Sequence, residues 1–249
     1  MRDFTLATYR NFIGSLMSQD IYTVKKYILT RPEKGIVLRH DVDVSAEKAL
    51  RMAHIDHEMN VQSTYYFRYP KTFNPEILKK IAEMGHEVGY HYEVLDKTQG
   101  NIVDAMKLFR QELDLFRQYV DIATVSMHGG VLTKYDNREI WKHSTFSDYG
   151  LIGEPYLSID YSKMRYFTDT GRDWSGKYAV KDTVDKSGPC AETITSTADL
   201  IALLKKNESD LFVITIHPKR WSATEMEWWS ELIIQSIKNR GKYLIKMRG

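Results

Sequence analysis

Residues 36–43 read IVLRHDVD. Ile36 and Leu38 share one parity; Val37, Arg39 and Asp41 share the other. Side chains alternate across a strand, so the segment predicts a strand over about 36–42 that carries an acid to its end. The pattern recurs in EVGYHYE (87–93), TVSMHGG (124–130), MRYFTDT (164–170) and LFVITIHP (211–218). Asp41, Asp43, His91, His128, Asp169 and His217 therefore sit at or just past the ends of short apolar runs. Carboxylates and imidazoles bind divalent metals and move protons near neutral pH. Placed repeatedly where strands stop, they describe a ring of strand ends around one pocket, as on the C-terminal rim of barrels built from alternating strands and helices.

Helical signals fill the intervals. A lead-in over 4–28, within residues 1–34, has amphipathic helical spacing. Ser45 is a cap for a helix over 46–59 with a stripe of Ala46, Ala49, Leu50 and Ala53. Strand 61–68 follows, then a helix from Asn74-Pro75 to Met84 that Gly85 stops. Strand 87–92, a helix over 101–118 and strand 123–127 come next. Strands are expected at 151–157 and 164–169, a long polar loop at 170–196, a helix at 197–206 and a strand at 211–217. Ser222 and Glu225 form a capping box for the last helix, which carries Met226, Trp229, Ile233 and Ile237 on one face. YLIKM (243–247) is a candidate closing strand. LFVITI is apolar on both parities, as a strand buried on both faces must be. Alternating elements without repeat, low-complexity tract or dividing linker predict one α/β domain over 1–249: a closed or nearly closed (β/α) barrel of seven or eight strands, TIM-like in plan.

Composition narrows the function. With 35 basic and 33 acidic residues, net charge +2, nothing in bulk electrostatics favours nucleic acid or a membrane surface. No run approaches the 18 apolar residues of a membrane span, and MRDFTLATYRNF lacks the apolar core of a signal peptide. A single cysteine, Cys190, excludes an intramolecular disulfide and fits a reducing compartment. The expectation is a cytoplasmic protein.

Asp41 and Asp43, two apart, point the same way on a continuing strand, where one acid can ligate a metal and the other act as base. They equally suit a polar turn in which Asp43 caps the following helix. Arg39 has the parity to pair with Asp41, lowering its pKa and fixing its rotamer. His86 and His91, five apart, face opposite ways; His86 follows a helix-ending glycine and reads as structural, whereas His91 and Glu93 share a face at the strand end. Glycines after His128 either let a ligand approach the backbone or simply make a turn. Pro218 stops the strand with His217 at its lip.

These motifs, in this order, resemble the polysaccharide deacetylase superfamily from Gly35 to Trp221, which implies a distorted (β/α) barrel. GHEVGYH (85–91) resembles its Gly-His-Glu-Ile-Gly-Asn-His signature, RHDVD (39–43) stands where its first-strand Asp pair lies, and ITIHP (214–218) resembles its late Leu-x-x-His motif. With STYYFR and HPKRW, the set looks like a branch found with surface-polysaccharide biosynthesis. The resemblance implies hydrolysis of an acetyl group from a sugar or polysaccharide precursor by metal-activated water, with Asp41 as base, His217 as acid and Arg39 orienting the base. It implies a divalent ion, zinc being the expected one, on Asp43 and His91. The family's second ligand histidine falls at Leu95, and SMHGG replaces its Arg-x-Pro-x-Gly loop, so His128 or Glu93 is the expected third ligand. Arg68, Tyr92, Asp169, Trp174 and Trp221 are the expected substrate contacts. The alternative is a barrel that binds carbohydrate without hydrolysing it, favoured by the missing histidine at Leu95.

Overall fold

The computed structural model describes residues 2–130, 133–179, 184 and 194–248. Among the described residues seven strands form one parallel sheet: β1 (Ile21–Tyr22), β2 (Gly35–Val42), β3 (Thr64–Phe67), β4 (Glu87–Tyr92), β5 (Val125–Met127), β6 (Arg165–Thr168) and β7 (Leu211–Ile216). Spatial order is β5-β4-β3-β2-β7-β6, and β1 pairs with the start of β2. Parallel neighbours need crossovers, and helices supply most of them. The helices are α1 (Leu6–Ser15), α2 (Val24–Thr30), α3 (Ala46–Glu58), α4 (Pro75–Glu83), α5 (Val94–Lys97), α6 (Ile102–Arg117), α7 (Pro155–Ser158), α8 (Thr197–Lys206) and α9 (Glu225–Arg248). The sheet curls into a half-barrel, as a distorted (β/α) barrel does, with β5 and β6 at its two ends.

Parity sorts the core. Val37, Tyr66, Leu211 and Val213 fill the concave face with Met164, Ile159 and Tyr161. The alternate residues point outward: Tyr65, Phe67, Val88, Tyr90 and Val125 against α4 and α6, and Ile36, Leu38, Phe212 and Ile214 against α1, α3 and α8. Gly89 lets the concave face close, because a Cβ there would stand 2.3 Å from the Tyr66 ring.

Several expected elements differ. The lead-in divides into α1, β1 and α2, since Thr5 and Thr23 each cap a helix through their side chains. Residues 151–157 form no strand; Thr124 makes one bridge to Gly153, and Glu154-Pro155 starts α7. YLIKM continues α9 rather than closing the sheet. The cap of α9 is Thr224, whose Oγ1 accepts from Glu227 N, and not Ser222, whose buried Oγ has no partner. Ser45, not Asp43, caps α3. The 170–196 loop falls in part, and Cys190 wholly, outside the described residues. Among the described residues no helix is long and apolar enough to cross a membrane.

Candidate active site

The C-terminal ends of β2, β4, β5 and β7 surround a cavity of about 190 Å³ lined by Asp43, His91, His128, Gly129, Gly130, His217, Lys219, Arg220, Gln235 and Lys238. Asp41, buried outside that lining, has Oδ2 3.8 Å from His91 Nε2. Arg39 grips Asp41 with two of its three guanidinium nitrogens, Nε at 3.0 Å and Nη2 at 2.6 Å, and Nη2 also donates to Ser126 Oγ. Arg39 and Asp41 are buried together, with the guanidinium over the Tyr66 and Tyr156 rings. Burial pushes the Asp41 carboxyl up, but Arg39, His91 and His217 outweigh it and hold the group below the usual carboxylate range.

Asp43 is the hinge of the site. Lys219 Nζ holds Oδ2, while Oδ1 is buried without a hydrogen-bond partner. His91 Nε2 and His128 Nε2 each stand 3.6 Å from that Oδ1. Behind them, His91 Nδ1 bonds the Ser126 carbonyl at 2.9 Å, which turns Nε2 to the cavity. His128 Nδ1 lies 3.0 Å from Glu93 Oε2, off the line of a good hydrogen bond. Arg68 pairs with the same Glu93 oxygen and donates to the Asp43 carbonyl. Burial raises Asp43, yet Lys219 and the two imidazoles carry it well below its ordinary value. For His91, burial lowers the pKa and Asp41 and Asp43 raise it further than burial lowers it.

Across the cavity, Asp169 organises His217. Its carboxylate accepts from His217 N (3.0 Å) and Trp221 Nε1 (2.9 Å) and pairs with Arg220 Nη1. His217 Nδ1 lies 2.7 Å from Asp169 Oδ1 and 2.6 Å from Arg220 Nη1. Whichever of them the ring nitrogen bonds, Nδ1 is engaged within the protein. When Arg220 donates to it, the ring proton sits on Nε2. Burial pushes Asp169 up, but Arg220 and His217 bring it down to about 2.

Asp41, Asp43, His91, His128 and His217 thus converge. Glu93 stands behind His128 rather than beside Asp43. None of the five expected substrate contacts lines this cavity. Tyr92 has the outward parity of β4, is 0% exposed and accepts from Trp141 Nε1. Trp174 and Trp221, at 2% and 1%, pack in the α1 layer against Phe4. Asp169 is fully buried and positions His217, and Arg68 is occupied with Glu93. His86 is structural, as expected: Ser63 N donates to Nδ1, and Nε2 bonds the Ala53 carbonyl. Lys219, Arg220, Gln235 and Lys238 were not anticipated. The basic pair after His217-Pro218 was their only signal, and Gln235 and Lys238 reach the site from a helix that gives none.

No protein-family model matches the chain. No curated protein matches it either. Solved structures do. One is a mutant of a CE4 family pseudoenzyme of Bacillus anthracis with restored enzymatic activity (15% identity, TM-score 0.43, 84% of this chain and 64% of that one). Another is a CE4 esterase of Streptococcus mutans (15%, 0.48, 94% and 91%). A third is the peptidoglycan deacetylase PdaC of Bacillus subtilis (14%, 0.38, 87% and 98%). This chain resembles CE4 esterases and peptidoglycan deacetylases. It spans just under two thirds of the first of these structures.

Proposed function

We propose that the protein is a metal-dependent hydrolase that removes an acetyl group from a sugar or polysaccharide precursor. The observation that carries this is the partnerless, buried Asp43 Oδ1 standing 3.6 Å from two imidazole nitrogens. Tetrahedral zinc with ligands at about 2.0–2.1 Å separates them by about 3.3–3.4 Å. Among the described residues no group of three His, Cys, Asp or Glu is already at metal-binding spacing. The Asp43–His91 and Asp43–His128 separations need to shrink by only a few tenths of an ångström. Asp43, His91 and His128 would hold the ion, and Glu93 and the Ser126 carbonyl would orient its imidazoles. The ion, when bound, supplies Lewis acidity toward the acetyl oxygen and lowers the pKa of water.

This chain's own groups do the proton work. Asp41, kept ionised by Arg39, takes the proton from the attacking water. His217, accepting at Nδ1 from Arg220 or, as the imidazolium, donating from Nδ1 to Asp169, delivers its Nε2 proton to the leaving nitrogen or oxygen. The test is metal content of the purified protein together with acetate release from acetylated sugars, before and after chelation. Metal binding and release of acetate that a chelator stops support the reading. Lys219 favours a second one: its ammonium already neutralises Asp43, so the cavity can bind a sugar with no ion. Sugar binding by a metal-free protein without acetate release would establish that reading in place of the first.

A further inference from the structure

A second cavity, of about 240 Å³, shares Gln235 with the first, so the two adjoin across one buried side chain. Its lining includes Phe4, Gly171, Arg172, Trp228 and Asn239. The chemistry proposed above uses none of them. Arg172 is held in place there. Its backbone N–H donates to the Asp169 carbonyl at 2.9 Å, and Asn239 Nδ2 donates to the Gly171 carbonyl at 2.9 Å. Its guanidinium lies 5.3 Å from the centroid of the Phe4 ring and 5.0 Å from that of Trp228. The backbone is left-handed, with φ of 86° at Gly171 and 58° at Arg172. A glycine takes that conformation freely and an arginine at a cost, which persists where the surroundings fix it, as at ligand clamps.

The guanidinium so placed is not satisfied. Nη1 is buried without a hydrogen-bond partner, and Arg172 makes no ion pair among the described residues. Two carboxylates line the same cavity, but both are engaged elsewhere. Asp3 accepts from Thr197 Oγ1 (2.6 Å) and Thr197 N (2.9 Å). Asp173 accepts from Ser175 N (2.8 Å) and pairs with Lys177 Nζ (2.7 Å). Burial lowers the Arg172 pKa, and Glu231, Asp3 and Asp169 make up only part of that loss. A buried donor of a charged group is costlier to leave unpaired than a neutral one. The planar fork of a guanidinium matches the oxygens of a carboxylate or a phosphate. A sugar hydroxyl could take one N–H but would leave the charge uncompensated.

We propose that the second cavity is a subsite for an anionic group of the substrate, a carboxylate or a phosphate ester on the saccharide, bound by Arg172 across Gln235 from the acetyl-bearing unit. This rests on the first cavity being a sugar site, and it narrows the substrate class to acidic saccharides. In the first cavity Lys219 and Arg220 are paired with Asp43 and Asp169, which leaves Lys238 as the competing cation.

Calorimetric titration of the full chain with glucose, glucuronate and glucose 6-phosphate tests this. The probes share a ring and carry no acetyl group, so the outcome is independent of acetate release. At least one acid should bind roughly tenfold or more tightly than glucose, the weight of a charge-assisted hydrogen bond, and the tighter of the two names the anion. The same acid should shift the indole resonance of Trp228 in the nitrogen-labelled protein. Arg172→Gln should bring the acids down to the affinity of glucose and leave glucose as it was. Arg172→Lys should keep part of the preference, and Lys238→Gln all of it. If Arg172→Gln does not fold, Arg172→Lys and the Trp228 resonance of the parent decide. Equal affinities, no binding of any probe, or an acid preference that survives Arg172→Gln or falls with Lys238→Gln overturns the proposal. Acetate release by a protein without the preference overturns this proposal alone; the preference without acetate release keeps the subsite and removes the hydrolase.

Discussion

The two faces of β2 carry the same chemical vocabulary and put it to opposite ends. Outward from the strand, His40 stacks on Tyr65 at 4.2 Å and places Nε2 2.8 Å from Tyr9 Oη. Asp56 accepts from Tyr9 Oη (2.6 Å), Ser63 Oγ (2.7 Å) and Tyr65 Oη (2.7 Å), and the whole group is sealed. Inward, one residue along, Asp41 and then Asp43 meet Arg39, Lys219, His91 and His128. Asp56 has only neutral hydroxyl donors, so burial lifts it to about 6. Asp43, also buried, is surrounded by cations and imidazoles and falls well below its ordinary value. Neutral donors let a buried acid drift toward its uncharged form; cations keep it ionised. The orphaned carboxylate oxygen beside the cavity, Asp43 Oδ1, belongs to the ionised set.

The largest effect that would sharpen this contrast is on turnover. His217→Ala should lower acetate release roughly 10²–10⁴-fold, the usual weight of a positioned proton-transfer group, with the thermal midpoint nearly unchanged. Asp41→Asn should lose as much activity and destabilise the protein as well, by about 3–5 kcal/mol, because it leaves the buried Arg39 guanidinium unpaired. Steady-state kinetics with thermal unfolding separates the two. Equal stability for both variants would break the view that Arg39 depends on Asp41 for its charge balance.

Metal affinity comes next. Asp43→Ala and His128→Ala should abolish stoichiometric zinc by elemental analysis. Glu93→Gln, which changes only the group behind His128, should weaken binding about 10–100-fold, the usual loss on removing an outer-shell partner. His40→Gln, on the other face of the same strand, should leave metal content untouched. Zinc retained by His128→Ala would remove that residue from the site.

Much of this contrast was legible in the chain, because parity is strict. Asp41 and His91 fall on the concave side at the positions that alternation assigns, Asp43 and His217 follow directly after the ends of β2 and β7, and Arg39 pairs with Asp41 as its parity required. Parity also bears on the sequence reading where it was set aside: Tyr92 has the outward parity of β4, which its naming as a substrate contact ignored. His40 carried no signal, since its partners come from α1, α3 and β3 and meet only in the fold. Lys238 and Gln235 were hidden for the same reason, being helical residues about 20 positions past the last strand. Short strands such as β1 were missed because two residues are too few to show a period.

The smallest effect tests the comparison through protons. His40 is held down to about 3, chiefly by burial. Its folded form binds fewer protons than its unfolded form, so its contribution is present above about pH 6.5 and is lost as the pH falls below it. Asp56 has the opposite sign. Raised to about 6, it contributes most below the ordinary carboxylate pKa and loses that contribution as pH rises through 6. Other buried acids, Glu154 among them, titrate in the same range, so whole-protein profiles mix their signs. Differences between variants do not. The destabilisation from His40→Gln should shrink as pH falls from 7 to 4, by about 1.4 kcal/mol per pH unit below 6.5. That from Asp56→Asn should shrink as pH rises from 4 to 7, by a total of about 3 kcal/mol for its roughly two-unit shift. Urea unfolding of each variant against the parent across this range gives both slopes. Parallel slopes would mean that the outward face of β2 is not a sealed pair of a neutral imidazole and a reluctant acid, and its contrast with the ionised inward face would fail.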